Sequence, residues 1–127
     1  MEPDRFIIDS NIFVAAYYEG DSNHKNALKV LSELNKKTLI VHPYVIQETA
    51  TVLTYKLGQY VAIQFLKDIQ NATNAVIPVI DVQSDIRFFI SVKKKISFTD
   101  AALVGLATDM SAGLVTFDKQ MLGLAKK

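Results

Sequence analysis

Four acidic residues, Asp9, Glu48, Asp100 and Asp118, lie far apart in the chain yet occupy comparable places in its pattern of apolar runs. Asp9 closes the run Arg5-Phe6-Ile7-Ile8, and Asp118 follows Gly113-Leu114-Val115-Thr116-Phe117. Glu48 and Asp100 fall in the first turn or two of segments with helical character. If folding gathers them, each pair at about 6 Å repels by about 3 kcal/mol at an effective dielectric of about 20. No lysine or arginine in these segments neutralises all four, Lys119 being the nearest candidate. Such a cluster calls for a divalent cation. Oxygen donors without thiolates suit Mg²⁺ or Mn²⁺, and an ion of that kind polarises a phosphoryl oxygen and activates water. Phosphodiester hydrolysis is the chemistry that follows.

The elements that must position these acids alternate between strand and helix. Arg5 to Asp9 reads as a strand and Asn11 to Tyr18 as a short helix. A turn at Glu19-Gly20-Asp21-Ser22 precedes a helix through Ala27, Leu28, Val30, Leu31 and Leu34, with Asp21 or Ser22 as its cap. Thr38 to His42 is the second strand. Pro43 suits a first helical position, and that helix runs to Leu57, where Gly58 ends it. Gln59 to Ala72 is the next helix and Ala75 to Asp81 the third strand, with Pro78 marking a sheet edge. Helices over Asp85 to Lys94 and Phe98 to Ser111, a strand over Gly113 to Phe117 and a helix over Lys119 to Ala125 complete the chain. Strands separated by helices pair in parallel through right-handed crossovers, giving an α/β architecture of three layers, α/β/α. Ligands of such sheets bind beyond the carboxyl ends of the strands. Asp9 and Asp118 stand at those ends, and the returning helices deliver Glu48 and Asp100 to the same edge.

Composition limits the alternatives. The 127 residues are 50% apolar and 21% charged, with a formal net charge of +1, which fits a single ordered domain over residues 1–127. The absence of cysteine excludes disulfides and thiolate metal sites, and two histidines make a histidine-rich zinc centre improbable. No apolar stretch approaches the length of a membrane span and no signal peptide opens the chain, so a cytoplasmic location without membrane contact is expected. The near-neutral charge neither favours nor excludes nucleic acid.

Three of the acids have a plainer explanation as caps. Asp9 and Asp118 precede helices and are good N-caps. Ser97-Phe98-Thr99-Asp100 has the form of a capping box. Glu48 has no comparable capping role; it lies at the margin of the apolar arc of Val45, Ile46, Ala50, Leu53 and Leu57, where a glutamate can still be exposed. Asp100, however, leads the nearly all-apolar run Ala101 to Ala107, and an acid carried into a buried helix must be paired, protonated or bound to metal. The Lys93-Lys94-Lys95 run reads as a solvated helix end, or as a clamp for phosphates. His24 and His42 read as packing or surface residues. Tyr17 and Tyr18 read as core or dimer contacts, and Phe88 and Phe89 as packing residues.

The ordered set Asp9-Ser10-Asn11, Asp21-Ser22-Asn23-His24 with Ala27, Glu48, Ser97-Phe98-Thr99-Asp100-Ala101 and Thr116-Phe117-Asp118 resembles the PIN-domain ribonucleases, and among them the compact VapC-type toxins of toxin–antitoxin modules. That resemblance spans nearly the whole chain. It implies an endoribonuclease dependent on Mg²⁺ or Mn²⁺, frequent homodimers, and a small antitoxin protein that blocks the acidic pocket. By the same resemblance Asp9 and Asp100 are direct metal ligands, Glu48 and Asp118 act through water, and Asn11 and Thr116 support them. It also implies a parallel sheet of order 3-2-1-4-5. The sequence ends at Ala125-Lys126-Lys127 without a fifth strand, so four strands in the order 3-2-1-4 are expected. Two other readings are weaker. A receiver-like phosphoacceptor would use Asp81, but it wants paired acids after the first strand where Ser10 and Asn11 stand. A catalytically silent interaction domain on this fold is disfavoured by the presence of all four acids.

Overall fold

The computed structural model describes residues 3–125. Among them the order is β1 (Arg5–Ile8), α1 (Ser10–Tyr17), α2 (His24–Glu33), β2 (Thr38–Ile40), α3 (Pro43–Leu57), α4 (Gln59–Asn71), β3 (Ala75–Val76), α5 (Val82–Ser91), α6 (Phe98–Met110), β4 (Gly113–Val115) and α7 (Lys119–Ala125). The four strands form one parallel sheet in the order β3-β2-β1-β4, as expected. Ile7 sits between Ile40 and Leu114 in register, which places β1 in the middle of the sheet.

The helices pack in two groups. α1 lies against α2 and α3, and α3 against α4, while α6 joins α5 and α7. A parallel sheet needs its two apolar faces covered, and crossover helices are what cover them. The core is built from Ile7, Ile8, Ile40 and Val41 of the strands with Ile12, Phe13, Val45, Leu53, Phe65 and Leu103 of the helices. Phe65 centres one side, its ring 5.2 Å from Phe13 and 5.6 Å from Tyr17. Tyr17 therefore belongs to this packing, and its hydroxyl donates to Asp68.

Two glycines are required by geometry. Gly58 joins α3 to α4 at φ 100°, in the region that L side chains rarely adopt. Gly113 pairs with Phe6, and a Cβ there would meet the Phe6 ring at 2.6 Å.

Several expected boundaries shift, each for a local reason. β1 stops at Ile8, because Asp9 turns out of the ladder to become the N-cap of α1. The cap position of α2 is Asn23, rather than Asp21 or Ser22. β3 spans only Ala75–Val76; Pro78 has no N–H for a ladder, and Asp81 is the N-cap of α5, accepting from the backbone N–H groups of Gln83 and Ser84 at 3.0 and 3.3 Å. α5 ends at Ser91, so Lys93-Lys94-Lys95 lies in the loop before α6 rather than at a helix end. No helix among the described residues is long and apolar enough to cross a membrane.

Candidate functional site

Asp9 is the anchor of the site, at the carboxyl end of the central strand and only 3% exposed. Its backbone N–H still bonds to Val115 O at 3.0 Å, so the residue is fixed by the last rung between β1 and β4. Its Oδ1 accepts from the Ser10 N–H at 2.7 Å and its Oδ2 from the Thr116 hydroxyl at 2.7 Å. The Ser10 hydroxyl lies 3.4 Å from Asp9 Oδ1 and donates to Glu48 Oε1, linking the start of α1 to the second turn of α3.

Thr116 is a hub. While donating to Asp9, its Oγ1 accepts from Asn11 Nδ2 at 3.1 Å and from the Asp118 N–H at 3.0 Å, using the whole capacity of a hydroxyl. Asn11 Oδ1 in turn accepts from the Phe117 N–H at 3.3 Å. One side chain from α1 and one from the loop after β4 thus lock the two acidic segments in a single arrangement.

The capping explanations now separate. Asp118 caps α7, its Oδ1 accepting from Gln120 N–H at 2.9 Å and Met121 N–H at 3.2 Å. Asp9 also bonds at a helix start. Capping by these two residues does not exclude a role in the site. Ser97 caps α6 by accepting from the Asp100 N–H at 3.0 Å, but the return bond from the Ser97 N–H to the Asp100 carboxylate, which would complete a capping box, is absent among the described residues. The Asp100 carboxylate is left for other use.

Asp100 feels the charge of the other three acids. Burial pushes the Asp100 carboxyl up to about 6, and the charges of Asp9, Asp118 and Glu48 add to that, partly offset by the Ser97 hydroxyl. Burial also raises Asp9, with Glu48 contributing, against the lowering effect of its bonds to Thr116 and Ser10. The one ion pair among the described residues joins Lys37 to Asp4, so no cation neutralises the set. The acids are neighbours rather than a finished cage: among the described residues no three acidic or histidine side chains are set to hold an ion as they stand. The donor set, all oxygen with two carboxyls held above their ordinary range, nonetheless fits a hard divalent cation, which would relieve the repulsion.

These shifts have a testable sign. A carboxyl that holds its proton more tightly in the folded chain contributes stability that is complete below its unfolded pKa and is lost as pH rises through its folded value. For Asp100 that window runs from 3.8 to about 6. His42 opposes it, because burial lowers its pKa and acidification then favours the unfolded chain. Subtracting the profile of Asp100→Asn isolates the carboxyl. In chelator, the melting temperature of the wild type relative to that variant should rise between about pH 7 and about pH 4; a constant difference would refute the coupling.

Some residues stand apart from the acids. His42 is 1% exposed and caps α3, its Nδ1 accepting from the Tyr44 N–H at 3.0 Å. His24 donates from Nδ1 to Ala15 O at 2.7 Å, a packing role as expected. Asp81 is engaged as a cap well beyond the end of β3, which leaves the receiver-like reading without its phosphoacceptor. A cavity of about 310 Å³ between α5 and α6 is lined by His42, Asp81, Asp85, Phe88 and Leu106 among others, and includes none of the four acids. A wider groove of about 520 Å³ adjoins the site through Asn11 and Asp118. The bridging role of Ser10 was not foreseen. Its position between Asp9 and Asn11 was the only signal, and serine at a helix start ordinarily means a cap.

The parallel α/β/α fold with acids gathered at the carboxyl edge of its sheet defines a class of protein. The PIN domain model matches residues 6–127, and the chain belongs to that family. Among solved structures it is similar to VapC20 of Mycobacterium tuberculosis, a toxin that cleaves the sarcin–ricin loop, with a TM-score of 0.81 and 19% identity over 93% of each chain. It is also similar to FitAcB from Neisseria gonorrhoeae, with a TM-score of 0.66 and 12% identity over 95% of this chain and 93% of that one. At these identities the likeness is one of fold. No curated protein sequence matches the chain.

Proposed function

We propose that residues 1–127 act as a single PIN domain that hydrolyses RNA phosphodiester bonds with Mg²⁺ or Mn²⁺, as the toxin of a toxin–antitoxin pair in the cytoplasm. The observation that carries this reading is the mutual repulsion of four carboxylates with no protein cation to neutralise them. Membership of the PIN family supports it, as does the fold shared with the RNA-cleaving toxin VapC20.

In this proposal Asp9 and Asp100 would hold the ion, and Glu48 and Asp118 would act on it through water. A divalent cation at that place supplies charge for the phosphoryl oxygens and makes water a better nucleophile at neutral pH. Thr116 and Ser10 keep Asp9 and Glu48 in position, and Asn11 holds the segment bearing Asp118. RNA enters as single-stranded or loop sequence, since the groove of an A-form helix is too narrow for side chains to read.

The partners are the RNA substrate, a small antitoxin that covers the acidic pocket, and a second copy of the chain. For the dimer, the exposed apolar residues Val82, Ile86, Phe89 and Ile90 along α5 form a more continuous face than the early helices, where Leu28 is exposed and Tyr17 is engaged in the core. Sedimentation as a monomer at high concentration would remove the dimer from the proposal.

The direct test is incubation of purified protein with RNA in Mg²⁺, Mn²⁺ or EDTA, with end mapping of products. Cleavage is expected with either metal and none in EDTA. In parallel, metal should stabilise the fold, by about 2.7 kcal/mol at a concentration of about 100 Kd. Equal products with and without chelator, or no thermal shift at millimolar metal, would defeat the metal-nuclease reading.

A further inference from the structure

The groove that adjoins the acid site through Asn11 and Asp118 has four further lining residues that hydrolysis does not require. Asn11, Val14, Asp21, Asn23, Phe117 and Asp118 enclose about 520 Å³. Two carboxylates and no lysine or arginine line it, so a phosphate is repelled there and a group rich in N–H donors is welcomed. The partly buried Val14 and Phe117 provide an apolar flank for a flat ring.

Two polar side chains in this groove have capacity to spare. Asn23 holds the N-cap position of α2, where asparagine is among the best caps, yet it makes no side-chain capping bond. Its amide has no partner among the described residues. Asp21 Oδ1 accepts from the Asn23 N–H at 2.8 Å, which fixes the carboxylate, and its Oδ2 has no partner among the described residues. A carboxylate acceptor and an amide thus line the same groove as an apolar flank.

We infer that this groove is a subsite for a guanine base of single-stranded RNA, an inference that rests on the ribonuclease reading and names its preferred substrate. Guanine presents N1–H and N2–H₂ together, which match the Asp21 carboxylate, and O6 beside them, which accepts from the Asn23 amide. Adenine would set its unprotonated N1 against the carboxylate. Cytosine would do the same with N3, and uracil would bring carbonyl oxygens on both sides of its single N–H. A site built for hydrogen bonds rejects analogues that leave its polar groups unpaired. The ring lies along Phe117, as bases extruded from a stack do on aromatic side chains. Because Asn11 and Asp118 line both groove and acid site, the guanine is the nucleotide next to the scissile phosphate.

The test reads binding in chelator, where cleavage is off, using labelled oligonucleotides with one guanine, inosine or adenine in a uridine background. Guanine is expected to bind at least about tenfold tighter than adenine, with inosine between because it lacks the N2 amine. Asp21→Asn keeps an oxygen for the Asn23 N–H, so the loop survives, but it should erase the guanine preference; Asn23→Ala should weaken it. With metal restored, wild-type products should end beside guanine and those of Asp21→Asn should scatter. Equal binding of guanine and adenine, or a preference that survives in Asp21→Asn, overturns the subsite. So does a basic peptide occupying the groove while RNA is cleaved without base preference, an outcome that leaves the nuclease reading standing. Neither binding nor metal-dependent cleavage would sink both.

Discussion

Asp9→Asn should lower metal-dependent RNA cleavage by about 10²–10³-fold while leaving the metal-free protein folded. Asparagine keeps an oxygen for the Ser10 N–H, so the start of α1 retains its cap, but it turns an N–H₂ toward the Thr116 hydroxyl and loses that bond. What disappears is a buried charge that the protein itself does not neutralise. In chelator the relieved charge and the lost Thr116 bond oppose each other, so the variant should melt close to the wild-type temperature, and in Mg²⁺ it should lose the wild-type gain. Asp100→Asn should behave in the same way, because its carboxylate makes no return bond to the Ser97 N–H and the Ser97 hydroxyl still caps α6. Glu48→Gln and Asp118→Asn act one step further from the ion, and a loss of about 10–100-fold is expected for each. Initial rates in Mg²⁺, paired with melting curves in Mg²⁺ and in EDTA, check all four. Full rates in Asp9→Asn and Asp100→Asn, with contaminating nuclease excluded, would mean that the acids are only structural.

Thr116→Val should cost both stability and activity, although the two side chains are nearly the same size. Valine removes the donor to Asp9 Oδ2 and the acceptor for Asn11 Nδ2 and the Asp118 N–H, in a position only 9% exposed. Leaving buried polar groups unmatched costs about 1–3 kcal/mol. The Thr116 bond lowers the Asp9 pKa, so its loss should raise the carboxyl further and move the acid limb of the cleavage profile to higher pH. Activity should fall by about 10–100-fold, as for other residues that hold a ligand in place. Thr116→Ser restores the hydroxyl and should recover the pH profile and most of the rate, which a pure packing role would not do. Urea denaturation and a pH–rate series measure both effects. Wild-type values for Thr116→Val would show that the hub is incidental.

The order of elements was legible in the sequence because it depends on local rules. Apolar runs of strand length, Pro43 at a helix start and Gly58 at a helix end act within a few residues, and each stands where expected. The limits of that reading are local too. Ala75 to Asp81 looked like one strand, but Pro78 withholds an N–H from the ladder and Asp81 uses its carboxylate on α5. The lysines at 93–95 looked like a helix end because nothing in their own chemistry says that α5 stops at Ser91.

The tertiary structure decided how the acids work together. Asp9 is more than a helix cap, since its carboxylate bonds to Ser10 beside it and to Thr116, 107 positions away. Asn11 reaches 105 positions to the same hydroxyl, and Ser10 reaches 38 to Glu48. None of these partners can be inferred from spacing, because they meet only when β1 and β4 lie side by side and α3 returns over the edge of the sheet. Helix caps and strand runs follow from torsions and hydrogen bonds between near neighbours. The repulsion that Asp100 feels from the other three carboxylates arises only when packing brings distant segments to one edge of the sheet, where burial removes part of the screening water.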